Sequence, residues 1–216
     1  MNCTPMVEPV TCQPHDVVFL VDRTSEVEIY NSMLDFVKNF SFPLNFESGD
    51  VQVGAATFYS RAFKSVWLRN GRNFDSIERA LSRTRRYGPV RNSKRRLASA
   101  LRWIRERFII PSQGKSRDSV PTSVVVILSG PSHDVIFNEL LTYHSRGIDL
   151  TFINIGQHVS LTNSSSLQAL RTAKIINISS VSQLESQISV LTNQICPKFK
   201  ERACQCCHYR SWIIHA

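Results

Sequence analysis

Between Arg61 and Arg117 the 216-residue chain carries a run of basic side chains opposed only by Asp75, Glu78 and Glu106. The densest part holds Arg83, Arg85, Arg86, Arg91, Lys94, Arg95 and Arg96, read as a loop between two helices. Guanidinium groups meet sulfate or phosphate through paired, charge-assisted hydrogen bonds, so the chemistry offered is polyanion binding. The local excess is larger than the net charge of +9, which makes the field one-sided. The competing reading is a solvated face that serves solubility. Aromatic residues such as Tyr87 are sparse within the cluster, leaving little for base stacking.

Ser129, Ser132, His133 and Asp134 supply the residue types of a nucleophile, a base and an acid. Catalytic partners must converge in space, however, and neighbours in sequence rarely do. No G-x-G-x-x-G, P-loop or G-x-S-x-G follows an expected strand, so the chain is read as a non-enzyme without a cofactor. His15, His144, His158 and His215 lack ligand spacing and are expected at the surface or in loops.

The six cysteines lie at the margins: Cys3 and Cys12 before the first apolar run, and Cys196, Cys204, Cys206 and Cys207 after the last. That placement suits disulfides in an oxidising compartment. The cluster Cys204-x-Cys206-Cys207-His208 packs its ligands too closely for a usual zinc site. Asn2, Asn39, Asn163 and, less favourably because it falls in a strand, Asn177 head N-x-S/T sequons. No apolar run reaches the roughly 18 residues of a membrane span. The first residues lack the order of a signal peptide, so an export signal is expected to be missing.

The elements that must position these groups follow from hydrophobic period. Asp16–Asp22 (DVVFLVD) and Ser123–Leu128 (SVVVIL) read as strands buried on both faces, the first of them central. Val51–Tyr59 and Ala62–Leu68 are close enough to form an antiparallel hairpin. Ile148–Ile155 and Lys174–Ile178 complete the strands. Helices are expected around Ile29–Phe40, Phe74–Leu81, Leu97–Phe108, Val135–Leu141, Leu167–Leu170 and Val181–Ile195. This order predicts an α/β fold: a doubly wound, mostly parallel six-stranded sheet with one antiparallel edge strand and helices on both faces. Its sites belong at the carboxyl ends of the strands, in the loops after Asp22, near Arg95 and after Leu128.

At DVVFLVD and its hydroxyl-rich turn, VGAATFY, SALRWI, SVVVILSG and GIDLTFINIG, the chain resembles the von Willebrand factor A family, from about Cys12 to Cys196. Within the family it is most similar to the A domains of type VI collagen chains. The resemblance implies a secreted extracellular-matrix module that binds matrix proteins, collagens among them. In that setting the natural polyanion is heparan sulfate. The rival is an intracellular A-type domain that binds nucleic acid. Residues 1–11 read as a linker and 197–216 as a poorly ordered, cysteine-rich basic tail with cysteines available for interchain bonds.

The family binds a metal ion through D-x-S-x-S, a threonine on a second loop and an aspartate after the fourth strand. A hard cation needs such oxygen donors. Here the first loop keeps Asp22 and Thr24 but places Glu26 at the second serine. The second loop aligns at Arg95–Leu101, with no coordinating oxygen unless Ser93 shifts register, and the third reads Ser129-Gly130, with Asp134 too far along to replace the lost aspartate. The remnant is therefore Asp22, Thr24, Glu26 and Ser129, with no metal expected. Either Arg95 or Lys94 takes the cation's place against Asp22 and Glu26, or the side chains drifted and point into water. In this architecture Cys12 and Cys196 are expected to lie together in a disulfide, with stabilisation of order 4 to 5 kcal/mol.

Overall fold

A computed structural model describes residues 12–90, 93–109, 116–156 and 173–196. The expected helix at Leu167–Leu170, the linker and the tail lie outside the described residues. Six strands form one sheet: β1 (His15–Asp22), β2 (Val51–Phe58), β3 (Ala62–Val66), β4 (Thr122–Leu128), β5 (Asp149–Ile155) and β6 (Ala173–Ile178). Their spatial order is β3-β2-β1-β4-β5-β6, and every pairing is parallel except β2 with β3.

The apolar runs are continuous because both faces of the sheet are covered. Val17, Phe19 and Val21 of β1 face α1 (Val27–Ser41), α2 (Phe74–Arg86) and α5 (Gln187–Ile195). Val18 and Leu20 face α3 (Leu97–Arg107) and α4 (Phe137–Ser145). The period of two in a strand thus divides one sequence run between two cores. Phe19 anchors the first, meeting Phe36 and Phe40 edge-on at 6.2 and 5.1 Å between ring centroids. Tyr143 anchors the second, its buried hydroxyl donating to the Leu101 carbonyl at 2.8 Å.

Several expected elements end elsewhere. The last helix is a 3-10 turn at Val181–Gln183 followed by the shorter α5. Serines there bond locally, Ser180 Oγ to Ser182 Oγ at 2.7 Å and Ser186 Oγ to the Gln183 carbonyl at 2.7 Å, which competes with helical bonding. The basic segment is not wholly a loop, because α2 runs through Arg86. Arg83, Arg85 and Arg86 fall in its last turn, where the partial negative charge of a helix C-terminus favours cations. Val135 stands outside α4 and is 80% exposed.

At the amino end of β1 a buried ion pair replaces two surface expectations. Asp16 is fully buried and receives Arg117 through Nε at 2.9 Å and Nη2 at 2.7 Å. The guanidinium also holds the carbonyls of Gly49 and Asp50. Arg117 therefore belongs to no docking face. Beside it His15 is half-buried on β1, with Nε2 2.9 Å from Ser123 Oγ, and is not a surface residue.

The two ends of the described residues meet. Cys12 and Cys196 are joined by a disulfide with their Cα atoms 4.8 Å apart.

Candidate functional site

The topology reverses between β1 and β4, whose helices leave to opposite faces, and opens a crevice at the carboxyl ends of the two strands. Asp22 ends β1 in that crevice and is fully buried. Its Oδ1 accepts from Thr24 N at 2.9 Å and Thr24 Oγ1 at 2.7 Å, closing the turn onto itself. Its Oδ2 accepts from Ser129 N at 3.2 Å, Ser129 Oγ at 2.8 Å and Arg95 Nε at 2.6 Å. A buried carboxylate is tolerated when paired and fully hydrogen-bonded, and here a backbone turn, a hydroxyl loop and a guanidinium share the task.

Arg95 is itself only 11% exposed. Nη1 donates to the Pro131 carbonyl at 2.9 Å, Nη2 lies 3.4 Å from Ser129 Oγ, and the backbone N–H donates to His133 Nδ1 at 3.1 Å. His133 N–H returns a bond to the Arg95 carbonyl at 2.8 Å. Ser25 Oγ reaches Ser129 Oγ at 2.7 Å. The loops after β1, before α3 and after β4 are thus joined around one ion pair.

The loop after β4 also caps α3, whose own first residues supply no capping side chain. Asp134 accepts from Ala98 N at 3.1 Å and Ser99 N at 3.2 Å, and Ser132 Oγ accepts from Leu97 N at 3.2 Å. The amino end of a helix favours a carboxylate. Asp134 is therefore occupied with that task. Ser132 Oγ donates to it directly at 2.6 Å, and His133 is not between them, so the Ser-His-Asp types form no relay. At the neighbouring α2 terminus, Arg23 donates to the carbonyls of Tyr87 at 2.9 Å and Gly88 at 2.6 Å. Gly88 adopts φ +60°, the left-handed conformation that ends a helix.

Of the remnant residues, Asp22, Thr24 and Ser129 come together and Glu26 does not. Glu26 is exposed at the start of α1, where its carbonyl accepts from Tyr30 N at 2.9 Å, so the expected pairing with Arg95 is corrected to Asp22 alone. Lys94 is exposed. These residues do not fit a divalent cation: one carboxylate is present, and the guanidinium stands on it at 2.6 Å where positive charge would sit.

The seven basic candidates do not form one face. Arg95 is inside the crevice. Arg85 pairs with Asp35 of α1 and donates to the Asn31 carbonyl at 3.3 Å. Arg83, Arg86, Lys94 and Arg96 are exposed, and Arg91 lies outside the described residues. Asn39 is on α1, its amide 3.2 Å from Glu185 Oε1, and the hydroxyl of its sequon, Ser41, is buried and donates to the Val37 carbonyl. Asn2, Asn163 and the tail cysteines lie outside the described residues. Asn177 bonds Asn154 across β5 and β6 at 2.9 Å. Reading by residue type missed Glu139, a buried carboxylate on α4 held by Arg102 at 2.8 Å and Arg105 at 3.4 Å from α3.

Residues 16–189 match the von Willebrand factor type A domain. No curated protein shows significant sequence similarity to the chain. Among solved structures it is similar to proximal thread matrix protein 1 from the mussel byssus in crystal form 2, at 20% identity and a TM-score of 0.75, covering 88% of this chain and 49% of that one. It is similar to the same mussel protein with a zinc-occupied MIDAS motif at 18% identity and a TM-score of 0.71, covering 86% of this chain and 46% of that one. The chain thus spans about half the length of the structures it matches, and at these identities the likeness establishes the fold.

Proposed function

Since the chain belongs to the von Willebrand factor type A domain family, we propose that it is an extracellular-matrix interaction module whose adhesion-site loops are held by an arginine in place of a metal ion. The observation that carries this reading is the Arg95–Asp22 pair at 2.6 Å, with Thr24 and Ser129 completing the shell of the carboxylate. A cation built into the chain gives the loops one arrangement without an ion from solution. No step of catalysis is assigned to the crevice.

The compartment is supported by the Cys12–Cys196 disulfide, which persists in oxidising surroundings and argues for the matrix over an intracellular nucleic-acid role. The mussel relative is named as a thread matrix protein, which agrees with that setting. The partners are matrix proteins, collagens among them, and the parent is a secreted, glycosylated chain of the collagen VI type whose tail cysteines form interchain bonds. The excess of exposed basic side chains, Arg83 among them, gives the chain a positive field that attracts heparan sulfate.

Titration calorimetry with Mg²⁺ and Mn²⁺, together with binding to immobilised collagens with and without a chelator, tests the reading. The expected result is no heat of metal binding and chelator-independent adhesion. Micromolar metal binding abolished by Asp22→Ala would overturn it. The triple variant Glu26→Ser, Arg95→Thr, Ser129→Asp restores the oxygen donors and is expected to gain metal binding.

A further inference from the structure

We infer that the groove between β3 and α2 binds the sulfate groups of a sulfated polysaccharide; the inference rests on the polyanion part of the function proposed above and places the contact at Lys64, Arg79 and Arg83. β3 is the antiparallel edge of the sheet, and α2 packs beside it. Between them lies a groove of about 230 Å³, lined by Lys64 and Ser65 of β3, Asn70 of the following turn, and Ser76, Arg79 and Arg83 of α2. Ser76, Arg79, Ala80 and Arg83 recur at the i, i+3, i+4, i+7 spacing that puts residues on one helix face. The core of α2 is carried by Ile77 and Leu81, one position on from Ser76 and Ala80, so this second stripe is turned to the sheet edge. A stripe that would ordinarily be apolar holds two guanidinium groups and a hydroxyl, with Ala80 too small to fill the space.

Three further observations point to an anion. No carboxylate lines the groove: Asp75 borders a separate hollow with Asn45 and Glu47, and Glu78 turns towards Lys38 at 3.9 Å. Among the described residues Lys64, Arg79 and Arg83 take part in no ion pair, whereas Arg85, Arg95, Arg102, Arg105 and Arg117 do. Ser65 lines the groove and its buried hydroxyl has no hydrogen-bond partner, so a turn about χ1 that brings it into the groove would let an oxygen of the ligand satisfy it. Arginine pairs suit sulfate through parallel N–H donors. Nucleic acid fits less well, because the aromatic ring that borders the groove, Trp67, is already packed on Trp103 and Phe108 with Lys64 Nζ 5.5 Å from its centroid, so a base stacking there would have to displace one of these contacts.

The test is binding of the full chain to heparin oligosaccharides, comparing Lys64→Ala/Arg79→Ala/Arg83→Ala with Arg86→Ala/Lys94→Ala/Arg96→Ala, which removes equal charge elsewhere. The groove variant is expected to lose affinity by at least about tenfold and the other by less than about threefold. Ser65→Ala, which changes no charge, is expected to weaken binding while leaving the melting temperature unchanged or raised. Equal losses in the two triple variants would overturn the groove while leaving a diffuse polyanion surface. Failure of the native chain to hold heparin at physiological salt would overturn both. Equal binding of a desulfated oligosaccharide or a single-stranded oligonucleotide at the groove would overturn the assignment to sulfate.

Discussion

Gly130 lies against Arg95 so closely that a Cβ built on it would stand 2.6 Å from Nη1 and 3.1 Å from Cζ of the guanidinium. The guanidinium has little room to retreat, since Nη1 holds the Pro131 carbonyl and Nε holds Asp22. Gly130→Ala is therefore expected to cost about 1–3 kcal/mol through overpacking. Arg95→Ala, which leaves Asp22 buried without its cation, is expected to cost about 3 kcal/mol or more. The double variant Asp22→Asn, Arg95→Met should recover most of that loss. Urea unfolding measures all three, and a native-like Arg95→Ala would show that the pair does not hold the loops.

Asp134 caps a helix whose second residue, Ala98, lies 36 residues away from it in the chain, with both carboxylate oxygens on α3 amides. Asp134→Ala is expected to cost about 1 kcal/mol, the usual worth of an N-cap. Hydrogen exchange at the Ala98 and Ser99 amides should quicken while the middle of α3 stays protected. Unchanged exchange at those two amides would argue against the cap.

The disulfide closes a loop with a sequence separation of 184, so replacing Cys12 and Cys196 by serine is expected to remove about 5 kcal/mol by the chain-entropy relation. Unfolding of the native chain under reducing conditions should match the double variant. A midpoint that does not move on reduction would rule out this contribution.

His15 gives the domain a pH dependence of known sign. Burial lowers its pKa below the ordinary 6.5, against the upward pull of Asp149 and Asp16 and with the downward push of Arg117. The unfolded chain then binds the proton more readily. The stabilisation is whole above 6.5 and is lost as pH falls through the lower, folded value. His15→Gln, which keeps an acceptor for Ser123, should flatten the stability profile below pH 6.5. A slope unaltered by the substitution would assign it to other groups.

The sheet was readable because burial on two faces leaves unbroken apolar runs such as VVFLV, and the partner of Asp22 was readable because Arg95 falls at the family's threonine position. Glu26 misled because a residue at the start of α1 can turn its side chain outward while its backbone carbonyl serves the helix. The cap from Asp134 left no trace at local spacing, since its partners are the first amides of α3, 36 and 35 residues away. Counting charge could not separate Arg95 and Arg117, drawn inward by buried aspartates, from Arg79 and Arg83, aligned along an open groove. The short α5 was hidden by apolar residues at helical spacing, while neighbouring serines closed bonds of their own.

Cys12 and Cys196, the first and last of the described residues, are 4.8 Å apart and covalently joined. Tension applied to the chain from both sides would pass from one cysteine to the other through two sulfur atoms, bypassing the six strands between them. The sheet hangs beside the line of force. Shear would reach β1 or α5 only after a covalent bond broke, so the crevice and the groove at β3 would keep their shape while the two cysteines carried the load.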